Sequence, residues 1–263
     1  MYPEILHIGF LHTYGVLVAA AFLTALWLAG RIARDSKLDP EAITNLGIYC
    51  ALASIGGAKL MMFLVDLPYY AQHPGEVLSL ATLQAGGVFY GGLIAALAVA
   101  FWYMRKAHLP ALETSDVFAP AVALGHGIGR LGCFSAGCCW GRETGLPWAV
   151  TFTDPEASRL VGVPLGVPLH PTQLYEAAAE FAIFAVLLWR IRRPHAPGVV
   201  IGLYLMLYSA ARFAVEFLRF HEQPNPLGGP LNTSQWLSLA LFGLGAWWHY
   251  RPRRDRSLTV AAR

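Results

Sequence analysis

The chain has 263 residues, of which 56% are hydrophobic and only 13% are charged, and its formal net charge is +3. Soluble domains carry about 25% charged residues, so this composition excludes an ordinary soluble protein and indicates a membrane protein. No cleavable signal peptide is expected, because residues 1–10 contain a proline and an acid and lack a basic start. Nucleic acid is not an expected partner.

Seven stretches are apolar enough to be candidate membrane spans, each of which must cross about 30 Å of hydrocarbon. We therefore predict an all-α integral membrane protein with seven transmembrane helices, forming one membrane-embedded domain over residues 1–263. The candidate spans cover about residues 10–30, 42–65, 86–103, 117–134, 172–189, 198–218 and 236–250.

The basic residues predict an orientation, since Lys and Arg beside span ends stay on the cytoplasmic side. An outer N-terminus and a cytoplasmic C-terminus put thirteen of them at inner span ends and three in outer loops. A small extracytoplasmic head, residues 138–171, then lies between helices 4 and 5, and its alternating segment 148–152 is expected to form one strand of a hairpin. The inner set is Arg31, Arg34, Lys37, Arg105, Lys106, Arg190, Arg192, Arg193, Arg251, Arg253, Arg254, Arg256 and Arg263, and the outer set is Arg142, Arg159 and Arg219.

Two arginines lie inside predicted spans, where a buried charge is rare and usually functional. His126 stands one turn before Arg130, Tyr208 stands one turn before Arg212, and Glu216 stands one turn after it. Residues four apart share a helix face, so each arginine has a polar neighbour.

Further polar residues in the spans leave two interpretations open. Lys59 is a third intramembrane cation, and Glu176 and Glu180 supply carboxylates one turn apart on the fifth span. A buried Arg–Glu pair could simply join helices. A guanidinium also binds phosphate oxygens two at a time, and the abundant phosphate-bearing ligand in a membrane is a phospholipid.

Glycines surround Tyr90 in the sequence GGVFYGGL at the start of the third span. They could allow close helix packing or take part in lipid access. Tyr90 could be an interfacial anchor, or a base if it lies beside an arginine.

Three of the four cysteines, Cys133, Cys138 and Cys139, lie at the predicted outer end of the fourth span, and Cys50 lies alone in the second. They could be structural thiols or a disulfide, a reactive thiol, or ligands of a zinc site completed by a histidine. The spacing contains no C-x-x-C pair, so no metal site is predicted.

Five short motifs occur in order along the chain: HTYG (12–15), GGVFYGGL (86–93), GRLGCFSAGCCWG (129–141), HPTQLYE (170–176) and YSAARFAVEFLR (208–219). With them the chain resembles the bacterial prolipoprotein diacylglyceryl transferases over nearly its whole length. These integral membrane enzymes move diacylglyceryl from phosphatidylglycerol to the lipobox cysteine of a prolipoprotein.

The resemblance implies roles for residues in these motifs. Arg130 and Arg212 match the two arginines with which the family holds the phosphatidylglycerol head. The other matches, taken as substrate-binding candidates, are Tyr14, Tyr208, Gly141, His170, Gln173 and Glu176, while Glu216 matches a further site position.

The chain departs from the family mainly within its signature, GRxGNFxNxExxG. Cys133 and Ala136 stand where asparagines are usual, and Cys138 stands where a glutamate is usual. Tyr90 replaces a frequent histidine and Lys59 a frequent arginine.

The implied reaction is attack by the acceptor cysteine sulfur on the glycerol carbon bonded to phosphate, which releases glycerol 1-phosphate. Candidate bases are Tyr90, His126 and Glu216, and no cofactor is expected. The resemblance implies a multi-pass protein of the bacterial inner membrane with a site that opens outward. The alternatives are a same-fold paralogue with cysteine chemistry and a non-enzymatic phospholipid-binding or transport protein.

Overall fold

The structure, a computed structural model, describes residues 13–79, 82, 86–220 and 225–251. The start of the first predicted span at residue 10 and His12 of the first motif lie outside these ranges. So do four basic residues of the predicted inner set, Arg253, Arg254, Arg256 and Arg263.

The described residues are mainly helical, and seven of their nine α-helices have 18 or more residues. Short 3₁₀ turns lie at Pro74–Glu76 and Pro226–Gly228. The helices are α1 (Thr13–Asp35), α2 (Pro40–Val65), α3 (Leu67–Gln72), α4 (Phe89–Lys106), α5 (Ala111–Ala136), α6 (Pro155–Val161), α7 (Thr172–Ile191), α8 (Val199–Glu216) and α9 (Thr233–Tyr250).

Four of the described helices are long and apolar enough to cross a membrane: α1, α2, α5 and α8, with mean hydropathies of 2.0, 1.8, 1.3 and 1.5. On α2, the side chains of Leu52, Ile55 and Leu60 are at least 60% exposed, which is typical of a helix that faces lipid. The predicted membrane character is therefore confirmed. The seven-span topology and its orientation stay predictions.

Helix α5 begins at Ala111, six residues before the start predicted from hydropathy, because its first turns are polar. Within them, the buried carboxylate of Asp116 accepts hydrogen bonds from the backbone N–H groups of Gly198 (2.5 Å) and Ile201 (2.8 Å). These are donors at the start of α8 that would otherwise lack partners within that helix. The polar start of α5 thus caps α8.

The chain forms two compact units, one from residues 38–114 and one from residues 1–37 and 115–263. In the first, α2 and α4 touch backbone to backbone, since a Cβ on Gly57 would overlap the Gly91 carbonyl and a Cβ on Gly91 would overlap that of Gly57. Lys59 Nζ donates to the Thr82 carbonyl at 2.6 Å. Gly91 of GGVFYGGL therefore serves close packing, whereas a Cβ on Gly86 would meet no atom within 4 Å. A role of these glycines in lipid access stays a prediction.

The head between α5 and α7 contains the predicted strand. Strands β1 (Val150–Thr151) and β2 (Pro168–Leu169) pair antiparallel, with Val150 opposite Leu169. Helix α6 lies between the strands in sequence, so they do not form a tight hairpin. A small core of Phe152, Ala157, Val163 and Leu169 lies beneath them. The head therefore has its own hydrophobic core.

Candidate active site

The carboxylate of Glu176, on the second turn of α7, contacts three arginines. Its Oε2 lies 2.7 Å from Arg130 Nη2 on α5, and its Oε1 lies 3.0 Å from Arg212 Nη1 on α8 and 3.1 Å from Arg219 Nη1 just beyond α8. The Glu176 side chain is 6% exposed and the arginine side chains are 14–17% exposed. Charges this far from water are stable only when they are paired in this way.

Glu216 is the second carboxylate of this group. Its Oε2 lies 2.7 Å from Arg212 Nη2 and 3.8 Å from Arg219 Nε, at the i+4 and i+3 spacings that share a helix face. We call Arg130, Arg212, Arg219, Glu176 and Glu216 the arginine cluster. Three guanidinium groups against two carboxylates leave the cluster one positive charge in excess.

His126 links the arginine cluster to a further acid. Its Nδ1 lies 2.7 Å from Glu180 Oε1, and its Nε2 lies 3.2 Å from Arg130 Nε, a group that can only donate. A neutral imidazole with its proton on Nδ1 satisfies both contacts. Glu180 therefore orients His126, and the Nε2 lone pair faces the guanidinium of Arg130.

Two tyrosines that the resemblance assigns to the site lie beside these groups. The Tyr208 ring is 5.6 Å from the His126 ring and stacks on Tyr204 at 5.8 Å between ring centroids. Tyr14 packs against Gly132, where an added Cβ would lie 3.4 Å from Tyr14 Cδ2. Both tyrosines thus lie beside residues within one turn of Arg130 on α5.

Gly141 fixes the segment that carries Arg219. Its N–H donates to the His170 carbonyl at 3.0 Å, and it forms an isolated antiparallel bridge with Arg219. A Cβ on Gly141 would lie 2.6 Å from both His170 Cβ and the Leu218 carbonyl, so only glycine allows this approach. Gly141 and His170 therefore hold the backbone around the site. Their contact with a substrate stays a prediction.

Tyr90 belongs to the other compact unit, at the start of α4, and its side chain is 56% exposed. Its assignment as a base stays a prediction.

Arg219 is the site residue that the sequence analysis missed, since the charge count placed it in an outer loop. The available signal was its position three residues after Glu216, within the last quoted motif. Helix α8 ends at Glu216, and the chain continues in hydrogen-bonded turns that bring the Arg219 side chain to the carboxylates.

Three cysteines lie together at the end of α5, with Cys133 on its last turn and Cys138 and Cys139 just beyond it. The Sγ atoms of Cys133, Cys138 and Cys139 are all within 4.8 Å of one another, and each residue is half-buried. The pKa of the Cys139 thiol lies below its usual range because the Cys133 and Cys138 side chains hydrogen-bond to it, and Arg219 and Arg130 add electrostatic attraction. We call these three residues the thiol cluster.

Comparison with known proteins identifies the family. A sequence model described as prolipoprotein diacylglyceryl transferase matches residues 3–251. A phosphatidylglycerol–prolipoprotein diacylglyceryl transferase of Bordetella avium is 38% identical over 252 residues, which is 91% of this chain and 90% of that protein. Proteins of the same name from Clostridium tetani and Thermosynechococcus vestitus are each 34% identical, over 89% and 94% of this chain and 90% and 91% of their own lengths. With a match that spans the helices and every residue of the arginine cluster, the chain belongs to the prolipoprotein diacylglyceryl transferase family.

Proposed function

We propose that this protein transfers the diacylglyceryl group of phosphatidylglycerol to the lipobox cysteine of a prolipoprotein signal peptide and releases glycerol 1-phosphate. The observation that carries the proposal is the arginine cluster, with its excess positive charge in a membrane-type helical fold. A phosphodiester head carries one negative charge and matches that excess. The names of the relatives support the same activity and do not favour the alternative functions.

In the reaction, a carbon–sulfur bond forms as the carbon–oxygen bond to phosphate breaks, and the electron pair leaves on the phosphate oxygen. The charge on the phosphate group rises from −1 to −2. Arg130 and Arg212 would stabilise this added charge, because donors fixed in a site away from water stabilise a developing anion without reorganising. Glu176 holds the guanidinium groups of both arginines in place before the lipid arrives.

Among the candidate bases, the contacts favour His126. Its Nε2 is the ring atom that can take a proton, and Glu180 holds the opposite nitrogen at 2.7 Å. When a phosphate draws Arg130 away, Nε2 becomes available, as a general base oriented by a carboxylate requires. Proton uptake would turn the His126–Glu180 contact into an ion pair and offset the charge of the bound phosphate. In contrast, Glu216 Oε2 is engaged with the guanidinium of Arg212 at 2.7 Å.

We infer the seven-span topology, with the site opening to the outer side of the bacterial inner membrane, from charge and from the helix ends. Basic side chains lie over aromatic rings one turn earlier at the C-terminal ends of four helices, an arrangement typical of a membrane–water interface. These pairs are Arg31 with Trp27, Arg105 with Phe101, Lys106 with Trp102, Arg193 with Trp189, and Arg251 with Trp247. All four C-terminal ends lie on the predicted cytoplasmic side.

The test is the substitution Arg130→Ala, assayed with phosphatidylglycerol and a lipobox peptide in the purified protein. We expect transfer to fall by more than about 100-fold, the usual loss when one donor to a developing anion is removed. Arg159→Ala is the matched control, because the Arg159 side chain is 71% exposed and pairs only with Glu156 in the described structure. It should keep full activity.

Two results would contradict the proposal. Normal transfer by a folded Arg130→Ala protein would exclude a phosphate-binding role for this arginine. Phosphatidylglycerol binding by the wild-type protein without release of glycerol phosphate would instead indicate a lipid-binding or transport protein.

A further inference from the structure

The thiol cluster is a feature that the proposed transfer reaction leaves unexplained. Its members stand at i, i+5 and i+6, a spacing that predicts no metal site from sequence alone. The fold nevertheless brings the three sulfur atoms within 4.8 Å of one another. Three sulfurs bound to one zinc ion at about 2.3 Å each would lie about 3.8 Å apart, so only a small closure separates this arrangement from a metal site.

The backbone around the cluster is held in conformations that turn the three side chains together. Gly137 has φ = 75° and Cys139 has φ = 61°, and the second value is uncommon for a residue with a side chain. A left-handed conformation is strained for a residue with a side chain, so the surroundings must impose it.

Two side chains from the first turn of α7 supply this constraint. Gln173 Nε2 donates to the Cys138 carbonyl at 2.6 Å, and Thr172 Oγ1 donates to the Cys139 carbonyl at 2.8 Å. Both side chains are fully buried. Because both carbonyls are anchored in this way, the backbone of the two consecutive cysteines is fixed before any ligand binds. Metal ligands are commonly held in place by hydrogen bonds from neighbouring residues in the same manner.

The charges nearby fit a bound cation with thiolate ligands. Three thiolates and one Zn²⁺ carry a net charge of −1. Arg130 and Arg219 both interact electrostatically with Cys139, and their positive charge favours its thiolate form. Thiolate sulfur selects soft or borderline ions such as zinc over magnesium or calcium.

We propose that Cys133, Cys138 and Cys139 bind one zinc ion, whose fourth coordination position receives the thiol of the acceptor peptide. Zinc sites with three protein ligands and one exchangeable position are the catalytic kind, and a thiol that coordinates zinc loses its proton. This role for the metal rests on the proposed transferase function and names the group that delivers its nucleophile.

The step balances without an oxidant or reductant. The acceptor thiol binds zinc as thiolate and gives its proton to His126 or to solvent. Its sulfur then attacks the glycerol carbon, the carbon–sulfur bond forms, and the carbon–oxygen bond breaks towards phosphate. The thioether product is a weaker zinc ligand than the thiolate and leaves, so the metal ion is ready for the next acceptor.

The first experiment measures metal binding without activity. The full-length protein is purified in detergent under reducing conditions, and zinc content and cobalt(II) absorption are recorded. The same is done for a variant with serine at all three positions and for the control Cys50→Ser. The Cys50 thiol is not a member of the thiol cluster and donates to the Ala96 carbonyl. We expect about one zinc per chain and a thiolate-to-cobalt band in the wild-type protein and in the control.

The triple variant should lose the cobalt band. Its zinc affinity should fall by well over about 100-fold, because a change in a residue that only supports a ligand can already cost about that much. Equal zinc binding by all three proteins, or no zinc binding by the reduced wild-type protein, would overturn the site. The second result includes the case in which the thiols serve only as a disulfide.

The second experiment separates the metal from the proposed reaction. Transfer from phosphatidylglycerol to a lipobox peptide is measured before chelation, after chelation and after zinc is restored. Loss and recovery of transfer support the role of the metal. Full transfer by the zinc-free protein overturns that role, and zinc binding without any transfer under any condition overturns the proposed function while the site itself stands.

Discussion

The substitution Glu176→Gln tests whether one carboxylate organises the arginine cluster. Its two oxygens make three guanidinium contacts, at 2.7, 3.0 and 3.1 Å. Glutamine keeps one of the oxygens and replaces the other with an NH₂ group, which cannot accept a hydrogen bond. Whichever way the amide turns, at least one arginine faces a donor, and the charge of the cluster rises from +1 to +2.

The expected cost follows from the burial of the pair. Breaking a buried ion pair by removing one partner costs about 3–5 kcal/mol, because it leaves an uncompensated charge. The arginine side chains here are 14–17% exposed, and some water reaches them. We therefore expect the lower end of that range, a loss of about 3 kcal/mol in the free energy of unfolding.

The assay is denaturant unfolding in detergent micelles, with and without added phosphatidylglycerol. The lipid phosphate can replace the lost carboxylate charge, so it should stabilise Glu176→Gln more than the wild-type protein. Glu143→Gln is the control, because Glu143 is exposed and lies outside the cluster. It should change stability by less than about 0.5 kcal/mol and leave the effect of lipid unchanged.

Two outcomes would refute this reasoning. If Glu176→Gln is as stable as the control, the carboxylate does not hold the three arginines together. If the lipid stabilises both variants by the same amount, its phosphate does not bind at the arginine cluster.

Two further substitutions test how the helices are held. Gly91→Leu should reduce the melting temperature and the yield of folded protein, because the leucine side chain would overlap the backbone of α2. Gly86→Leu is the control and should change neither, since no atom lies within 4 Å of a Cβ added there. Asp116→Asn should cost about 1–2 kcal/mol in unfolding, because the amide keeps only one of the two oxygens that cap α8, and transfer per folded molecule should not change.

The sequence predicts the long helices because hydropathy over about 20 residues is a strong signal. It is weaker where polar residues belong to a helix. The start of α9 at Thr233 falls three residues before the predicted start, because Asn232 and Gln235 form a capping box that hydropathy does not detect. The polar start of α5 is missed for a similar reason, since Asp116 serves a partner 82 residues away.

Within the site, spacing along one helix predicts contacts and spacing between helices does not. The predicted neighbours His126 and Arg130, and Arg212 and Glu216, are in contact because each pair stands four residues apart. The meeting of Glu176 with arginines from α5 and α8 depends on how these helices pack. No periodicity in the chain records that packing.

The thiol cluster shows the same limit on a smaller scale. Cys133 lies on the last turn of α5, and Cys138 and Cys139 lie beyond its end, so a continued helix would spread their side chains apart. The left-handed conformations at Gly137 and Cys139 reverse the chain and bring the sulfurs together. A positive φ at a cysteine is rare enough that sequence alone gives no reason to expect it.

One helix organises both the arginine cluster and the thiol cluster, and this constrains how the two halves of the reaction meet. On the first turn of α7, Gln173 holds the loop that carries the cysteines, and three residues later Glu176 holds the arginines. Three residues span about 4.5 Å along a helix axis. The attacking sulfur must come within about 3.5 Å of the glycerol carbon. The phosphate bonded to that carbon then lies only a few ångströms from the sulfur, roughly the distance between the two anchors. Because both anchors belong to one helix, their separation is fixed by α7 itself.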